Sequence, residues 1–471
     1  MSLEGLPPAQ QVVEDALASA RSGSDHCVVL VEETSEVEVR FANNTTTTNG
    51  SRRDRRVTVV AMRQVPGGMA AGVARRGGDV DVADLVRAAE QDASDSPPAD
   101  DVSPLIGPGD SSLMASTARF DAPPDRTDLS VLSGVLAGLS GAFARGRTDG
   151  YVLAVFADHR LATTYLGTST GLRLGHAQPD GSLQLVARST DGTASTWTGA
   201  GTPDFTDVSM ADLEAQLRHR LAWSTTRFER PAGRYEVILP PEAVSDLACN
   251  IAWQLGGRDA EDGQSVFSRP GGGTRVGEAL ATLPFDLRSD PAEPGLECTP
   301  FLTAGSSSAD TSVFDNGLPL TRTEWIAGGR LNRLRYHRAG ATRSGVEPAG
   351  FVGNLVLEVP GATGSVEELV ARTERGLLLT CLWYIREVDP ATMLLTGLTR
   401  DGVYVVEDGQ VVGAANNFRF NESPVDLLGR ATEVGASVRA FGREFGEYLN
   451  RTRMPSLRIP DFNMSSVSQA S

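Results

Sequence analysis

Five polar side chains stand close together after a long, otherwise apolar stretch of the chain. The stretch begins at Arg375, and the polar residues that follow it are Asn416, Asn417, Arg419, Asn421 and Glu422. Carboxamide, guanidinium and carboxylate groups at this density can hydrogen-bond to a peptide backbone or to one another. We therefore expect a polar loop that either braces the neighbouring strands or contacts a peptide or a partner protein.

The chain offers little for covalent catalysis. All 43 basic residues are arginine and there is no lysine, which excludes Schiff-base chemistry and a P-loop lysine. Cys249 and Cys381 lie in apolar surroundings, where a thiol has a raised pKa and behaves as a small hydrophobic side chain. We expect neither cysteine to be a nucleophile.

Metal-binding patterns are missing as well. No two of the five histidines lie within helical reach of each other, and none stands in an H-E-x-x-H or H-E-x-x-x-H frame. The four cysteines form no C-x-x-C pair, so neither a disulfide framework nor a zinc knuckle is indicated. We expect no cofactor in this chain, although a zinc site assembled from distant histidines stays open.

Length and composition set the remaining bounds. The 471 residues suffice for two or three domains, and 40% hydrophobic content is typical of a soluble globular protein. No apolar run reaches the roughly 18 residues of a membrane span, and the first residues lack the features of a secretory signal. A net charge of −17 argues against nucleic-acid binding. We expect a cytoplasmic protein without a membrane or nucleic-acid partner.

The periodicity of apolar residues predicts alternating helical and strand segments. Helices are expected over residues 8–21, from Asp81, over 128–146, from Ala211 and over 241–255. A pair of strands is expected over 27–33 and 36–44, and several short strands follow the helix at 128–146. Helices followed by runs of strands indicate an α+β protein.

Composition divides the chain into four segments. Residues 94–114 are rich in Pro, Asp, Ser and Gly and are predicted to be a linker or a long exposed loop. They separate an N-terminal α+β part, residues 1–93, from a central part with a helix and antiparallel strands, residues 115–230. Residues 231–471 are predicted to form a β-rich C-terminal domain.

Two glycine-containing motifs have an ordinary structural explanation. Pro270–Arg275, PGGGTR, could cradle an anion with backbone N–H groups, but a tight loop is the preferred interpretation because no strand with a GxGxxG pattern precedes it. Asp315-Asn316-Gly317 is a typical hairpin-turn sequence.

Four stretches of sequence resemble the TldD/PmbA family, and more narrowly its actinobacterial PmbA (TldE-like) branch. They are EVRFANNTTTTNG at 38–50, PGGGTRVGEAL at 270–280, the segment from Arg375 to Pro424, and PDFNMSSVS at 460–468. The resemblance extends over residues 8–468. It implies an N-terminal mixed α/β sheet part followed by a C-terminal antiparallel, barrel-like domain.

The family resemblance also implies a two-protein peptidase. Its TldD-like subunit resembles a zinc peptidase with an H-E-x-x-x-H helix, and the TldE-like subunit pairs with it to enclose the active site around unfolded or short peptides. The corresponding helix here is Ser245–Gly256, SDLACNIAWQLG, which has neither histidine nor glutamate. No zinc ligand carries over, so zinc is expected in the partner subunit.

Three functions follow from these observations. The first is a non-catalytic TldE/PmbA-like subunit of a heterodimeric zinc metallopeptidase that degrades or matures unfolded peptides. The second is an autonomous hydrolase that uses scattered His or Cys residues. The third is a stand-alone module that binds an extended peptide, for example by strand addition.

Overall fold

The computed structural model describes residues 5–21 and 23–468 of the chain. The helices are α1 Ala9–Ala20, α2 Val82–Asp95, α3 Met114–Arg119, α4 Ser133–Asp149, α5 Met210–Trp223, α6 Pro241–Trp253, α7 Gly257–Glu261, α8 Arg338–Ser344, α9 Val366–Ala371 and α10 Pro424–Arg430. The predicted long helices are confirmed to within a few residues, and Asp81 caps α2 by accepting a hydrogen bond from the Asp84 N–H.

The strands form three sheets. The N-terminal half holds β1 His26–Ala42, β2 Thr45–Val65, β3 Gly68–Gly77, β4 Tyr151–Thr168, β5 Arg173–Ser189 and β6 Ser195–Thr202. The C-terminal half holds β7 Arg227–Phe228, β8 Gly233–Leu239, β9 Asp286–Ser289, β10 Thr323–Ala327, β11 Arg330–Leu331, β12 Leu355–Glu358, β13 Arg375–Leu379, β14 Leu382–Asp389, β15 Leu394–Thr399, β16 Val403–Glu407, β17 Gln410–Ala415, β18 Phe418–Glu422, β19 Glu433–Val434, β20 Val438–Ala440, β21 Thr452–Met454 and β22 Leu457–Val467.

The first sheet has the order β3-β2-β1-β4-β5-β6 and is antiparallel throughout. The α+β class is therefore confirmed, while the mixed N-terminal sheet that the family resemblance implied is antiparallel instead. Strands from residues 1–93 and from residues 115–230 share this one sheet. The four-segment division of the chain stays a prediction.

Strand β1 is continuous where the sequence predicted two strands. Thr34 and Ser35, which separate the two predicted strands, resemble a turn, yet they pair in register with both β2 and β4. Glu33 is buried and accepts a hydrogen bond from the Nε of Arg55 at 3.0 Å, an ion pair with both side chains almost fully covered. The cross-strand guanidinium of Arg55 thus compensates the charge of the Glu33 carboxylate, so that this residue can be buried within the strand.

Both faces of the first sheet are covered. Residues such as Val29 and Val31 pack against α1 and α2, while α4 and α5 cover the same face further along. Their neighbours Val28 and Leu30 point the other way and pack against apolar residues of the C-terminal half, including Phe314. The sheet is therefore an internal layer between the helices and the second half of the chain.

The other two sheets are mixed and open. Their strand orders are β11-β10-β9-β12-β21-β20 and β14-β15-β18-β22-β8-β13-β16-β17-β7, with β19 pairing to β22. Three neighbouring pairs are parallel, namely β12 with β21, β8 with β13 and β7 with β17. The expectation of an antiparallel, barrel-like domain is therefore wrong in part: the segments are β-rich, but no closed barrel forms among the described residues.

One helical stretch, Leu129–Asp149, is long and apolar enough by length and composition to cross a membrane. In the structure, its residues Leu132, Val135, Leu139 and Phe143 pack against the strands of the first sheet. The absence of a membrane partner stays a prediction.

The glycine motifs have different outcomes. In PGGGTR the three consecutive glycines have positive φ and the Arg269 N–H donates to the Gly273 carbonyl at 2.9 Å, which confirms a tight loop. The hairpin predicted at Asp315-Asn316-Gly317 is wrong. Asn316 is fully buried there, and its carboxamide makes hydrogen bonds with the backbone N–H and C=O of Ala304. A turn does form here, since the Leu318 N–H donates to the Asp315 carbonyl at 2.9 Å and Gly317 has a φ of 84°, but it follows the short 3₁₀ turn Val313–Asp315 and does not join two strands of a hairpin.

Candidate functional site

Helix α6 lies between the two C-terminal sheets. It contacts β8 of the large sheet and β12, β20 and β21 of the smaller one, and eleven of its residues are buried. Pro241 occupies the first turn, where its missing N–H costs no hydrogen bond, and Leu247, Ile251 and Leu255 continue into the core. The helix is thus a central packing element whose buried side chains are uncharged with one exception.

That exception is Asp246, which is 0% exposed. Its two carboxylate oxygens accept hydrogen bonds from three consecutive backbone N–H groups, at 2.9 Å from Arg443, 3.1 Å from Glu444 and 2.9 Å from Phe445. Burial raises the pKa of the Asp246 carboxyl to about 7, against the opposing effect of these donors. The side chain therefore fixes the conformation of a segment almost 200 residues away in the chain.

The close approach of the two segments requires a glycine. A Cβ atom at Gly442 would lie 2.3 Å from the Asp246 Oδ1 atom, well inside van der Waals contact. Only a residue without a side chain lets the backbone reach the carboxylate at this point. Gly442 and Asp246 thus form one structural unit, which we call the Asp246 clasp together with residues 443–445.

The residues of α6 do not fit a zinc ion. The Asp246 carboxylate is already occupied by backbone donors, and the Asn250 side chain donates to the Asp246 carbonyl at 2.9 Å. Burial raises the pKa of the Cys249 thiol, which disfavours the thiolate that zinc requires. Among residues 5–21 and 23–468 no group of three or more His, Cys, Asp or Glu side chains is placed to hold a metal.

The candidate nucleophiles have no support in the structure. Cys249 and Cys381 are buried free thiols, and burial raises the pKa of both. Gly167–Gly171, GTSTG, has the G-x-S-x-G spacing of a nucleophile elbow, but it joins β4 to β5, whereas the elbow requires a strand followed by a helix. Ser169 accepts a hydrogen bond from the Cys27 N–H at 3.1 Å, a structural role.

An exposed aromatic surface lies at the C-terminal end of α6. The Trp253 ring is 4.8 Å from the ring of Phe445 and 6.5 Å from that of Tyr448, measured between centroids. Trp253 is 41% exposed and Tyr448 79%, while Phe445 is buried beneath them. The Asp246 clasp therefore positions the segment that carries two of these three rings.

The same segment also holds the edge strand β14. The Glu444 carboxylate accepts a hydrogen bond from the Tyr384 N–H at 3.0 Å and another from Arg386 Nη1 at 2.9 Å. The Arg386 guanidinium lies 4.5 Å from the centroid of the Tyr384 ring, and Tyr384 is 53% exposed with a φ of 53°. A tyrosine in the left-handed region is unfavourable, so the Glu444 contact helps to retain it.

The expected polar loop is limited to Asn416 and Asn417, which connect β17 to β18; the other three predicted site residues lie on a strand, which corrects that expectation. Residues 418–422 are strand β18, inside the large sheet between β15 and β22. Arg419 is exposed and donates to Thr396 Oγ1 at 3.3 Å, and Asn421 follows it on the same face of the strand. Glu422 points to the opposite face and is buried. The polar residues are therefore distributed over two faces and do not converge.

Most of these side chains stabilise neighbouring strands. Asn416 accepts a hydrogen bond from the Arg230 N–H at 2.7 Å, and Asn417 accepts one from Thr399 Oγ1 at 3.4 Å. Glu422 accepts from the Asn463 N–H at 2.7 Å and forms an ion pair with Arg430, while burial raises the pKa of its carboxyl. These contacts agree with the expectation that the polar residues stabilise the neighbouring strands. A role in contacting peptide or partner stays a prediction.

Asn417 also lines a cleft of about 390 Å³ between the first sheet and the large sheet. The opposite wall includes Asn43, which together with Asn44 forms the two-residue turn between β1 and β2 with φ of 51° and 61°. This geometry is that of a type I′ hairpin. Ser195 donates to the Asp401 carboxylate at 2.5 Å across the same region. Two of the stretches that carry the family resemblance therefore meet at one cleft.

Sequence reasoning missed the Asp246 clasp and the aromatic surface. A single aspartate within an apolar helix was the available signal for Asp246, since a buried carboxylate requires donors. Nothing in the sequence placed residues 442–449 beside the helix. Trp253 and Tyr448 resembled ordinary core residues, because exposed and buried aromatic side chains are alike in a sequence.

The fold of the chain matches that of several solved structures. TldE from Thermococcus kodakarensis superposes with a TM-score of 0.75 at 16% identity, covering 96% of this chain and 99% of that one. A proposed modulator of a DNA gyrase from Thermotoga maritima gives a TM-score of 0.77 at 17% identity, with coverages of 96% and 99%. A second such protein, from Bacteroides thetaiotaomicron, gives 0.74 at 15% identity, with 97% and 99%.

These likenesses define an α+β protein of the TldE-like fold. Residues 232–466 match the family model described as the PmbA/TldA metallopeptidase C-terminal domain. The chain belongs to the PmbA/TldD metallopeptidase family. No curated protein matches its sequence.

Proposed function

We propose that the chain is the non-catalytic, TldE-like subunit of a heterodimeric TldD/TldE-type zinc metallopeptidase. It belongs, in this proposal, to the actinobacterial PmbA branch and pairs in the cytoplasm with a TldD-like subunit that holds the zinc. The substrate of the complex is an unfolded or short peptide, which is degraded or matured. Neither nucleic acid nor membrane is a partner.

The chemistry of helix α6 carries this proposal. The resemblance locates the catalytic helix of the family at Ser245–Gly256, and the structure shows a buried helix there. Its one carboxylate is held by three backbone N–H groups, and its one thiol is buried with a raised pKa. Activation of water on zinc requires imidazole ligands and a carboxylate free to take a proton, and this helix supplies neither.

The TldE-like fold supports the pairing. The similarity to TldE from Thermococcus kodakarensis extends over 96% of this chain and 99% of that one. The chain therefore keeps the architecture of the family while its expected catalytic helix serves as packing. A subunit of this kind can shape a chamber and exclude folded proteins without performing the reaction.

Co-expression with a TldD-like subunit tests the proposal. We expect a stable complex that hydrolyses an unstructured peptide, whereas each chain alone is much less active. The catalytic subunit by itself serves as the control for unassisted activity. Failure of the two chains to co-purify, or full activity of the TldD-like subunit without this chain, would contradict the proposed role.

A further inference from the structure

Exposed apolar side chains are concentrated around the C-terminal end of α6. Trp253, Tyr384 and Tyr448 lie there, and Val388 on the same edge strand is 57% exposed. Phe351, 44% exposed, lies under Arg335, whose Nη2 donates to the Trp253 carbonyl at 3.0 Å. Exposed apolar side chains on adjoining segments are typical of interaction sites. We call Trp253, Tyr384 and Tyr448 the aromatic platform.

The aromatic platform is preformed. The Asp246 clasp fixes the segment that carries Tyr448, and Glu444 binds the backbone of Tyr384. The Phe445 ring supports the Trp253 ring from below. A surface whose side chains are already ordered loses little conformational entropy when a ligand binds.

Two carboxylates on the rim have no cationic partner among the described residues. Glu387 accepts a hydrogen bond from the neutral carboxamide of Gln254, and Glu447 accepts one from that of Gln184 at 3.1 Å. Arg386 is neutralised by Glu444. The Arg443 guanidinium lies between the Trp197 and Trp383 rings, 5.5 and 4.5 Å from their centroids, and its Nη1 donates to the Oε1 atom of the same Gln184 at 2.8 Å. When the Arg443 cation, unpaired within the part of the chain that the structure describes, is counted against Glu387 and Glu447, the rim still carries an excess negative charge.

The edge strand disfavours strand addition. Strand β14 is at the edge of the large sheet, but its pairing with β15 is irregular between Trp383 and Arg386 and again between Glu387 and Asp389. Such bulges interrupt the row of N–H and C=O groups that an added strand requires. Recognition at this surface therefore depends on side chains.

We infer that the aromatic platform binds an unfolded peptide segment in which an apolar side chain stands next to Lys or Arg. The rings cover the apolar group and attract the cation through their faces, and the rim carboxylates of Glu387 and Glu447 complement its charge. This inference deepens the proposed function, on which it rests for its biological setting, because it assigns part of substrate selection to the non-catalytic subunit.

Binding to the isolated full-length chain tests the inference without any peptidase. The probes are three fluorescein-labelled peptides of equal length: Leu with Arg, Leu with Glu, and Ser with Arg. Fluorescence anisotropy should show the Leu–Arg peptide binding tightest, by roughly fivefold or more over the other two. Equal affinity for all three would overturn the inference.

Variants locate the site. Tyr448→Ser should weaken binding of the Leu–Arg peptide roughly fivefold, and combined Glu387→Gln and Glu447→Gln should remove the preference for Arg over Glu. Met114→Ser, at another residue with a highly exposed apolar side chain, is the matched control and should change nothing. Unchanged binding by Tyr448→Ser would overturn the inference. So would a self-association of the chain, seen by sedimentation, that Tyr448→Ser abolishes.

The two proposals fail separately. Loss of the peptide preference in the isolated chain would leave the subunit role intact, since that role is measured by co-purification and hydrolysis in the complex. Failure to pair with a TldD-like subunit would leave the peptide-binding surface measurable on the chain alone.

Discussion

Asp246 and Phe445 are joined by a hydrogen bond of 2.9 Å between the carboxylate Oδ1 atom and the backbone N–H. The bond connects the middle of the buried helix α6 to the segment that carries the exposed aromatic rings. In the proposed function, α6 corresponds to the helix that holds the metal in the catalytic subunit. Here the only carboxylate in the helix interior binds backbone N–H groups and so links two segments of the fold.

Asp246→Ala should destabilise the fold strongly. The change leaves three buried N–H groups without an acceptor, and each unsatisfied buried donor costs about 1 to 3 kcal/mol. We expect the free energy of unfolding in urea to fall by about 3 kcal/mol or more. Glu229→Gln, at an exposed carboxylate, is the control and should stay within about 0.5 kcal/mol of the original chain. Equal stability of the two variants would show that the clasp is unimportant.

The clasp also predicts a pH dependence of stability. Burial raises the pKa of Asp246 from 3.8 to about 7 in the folded chain, so the folded state binds the proton more tightly than the unfolded state. The stability that protonation of Asp246 contributes is therefore complete below pH 3.8 and is lost as the pH rises through 7. Relative to Asp246→Asn, which does not titrate, the chain should lose about 2 to 3 kcal/mol between pH 5 and pH 8. A difference independent of pH would contradict the raised pKa.

The ion pair of Glu422, which is buried, and Arg430, which is 29% exposed, should be sensitive to removal of one partner. Arg430→Leu removes the cation that pairs with Glu422, and because Arg430 is partly exposed the loss should lie below the roughly 3 to 5 kcal/mol of a fully buried pair. The double variant with Glu422→Leu removes both charges and should recover part of this loss. Urea unfolding of the two single variants and the double variant measures the coupling. Additive losses would show that the pair is energetically independent.

Arg419→Ala distinguishes a role in stabilising the neighbouring strands from a role in contacting a peptide or a partner protein. Arg419 is exposed and makes one long hydrogen bond to Thr396, so its removal should change the free energy of unfolding by less than about 0.5 kcal/mol. If β18 faces a partner or peptide, the same variant should weaken assembly or peptide hydrolysis several-fold in the complex. Assembly and activity equal to those of the original chain would assign the strand to bracing alone.

The sequence predicted those elements whose residues carry their own signal. Helix α2 begins after the capping Asp81, and α6 begins with Pro241, because caps and proline act locally. Residues 418–422 of the expected loop form a strand because Phe418 and Phe420 alternate with polar residues, and this segment pairs with β15 and β22. The local polarity of this segment is typical of a loop, but its pairing with neighbouring strands, which the sequence does not show, stabilises a strand.

The candidate site depended on contacts between distant parts of the chain. Gly442 next to Asp246 is a close approach that no local pattern announces. Thr34 and Ser35 resembled a turn, yet β1 continues through them because β2 and β4 pair with it on both sides. The exposure of Tyr448 also depends on which residues pack against it in the folded chain, and the sequence does not show these contacts.

Zinc content and peptide hydrolysis of the reconstituted pair test the central claim most directly. The pair is prepared with the first histidine of the partner's H-E-x-x-x-H motif replaced by alanine, and separately with Cys249→Ala in this chain. We predict that the first change removes both zinc and hydrolysis, that Cys249→Ala keeps both, and that this chain alone contains no stoichiometric zinc. Stoichiometric zinc and peptide hydrolysis by this chain alone would contradict the account.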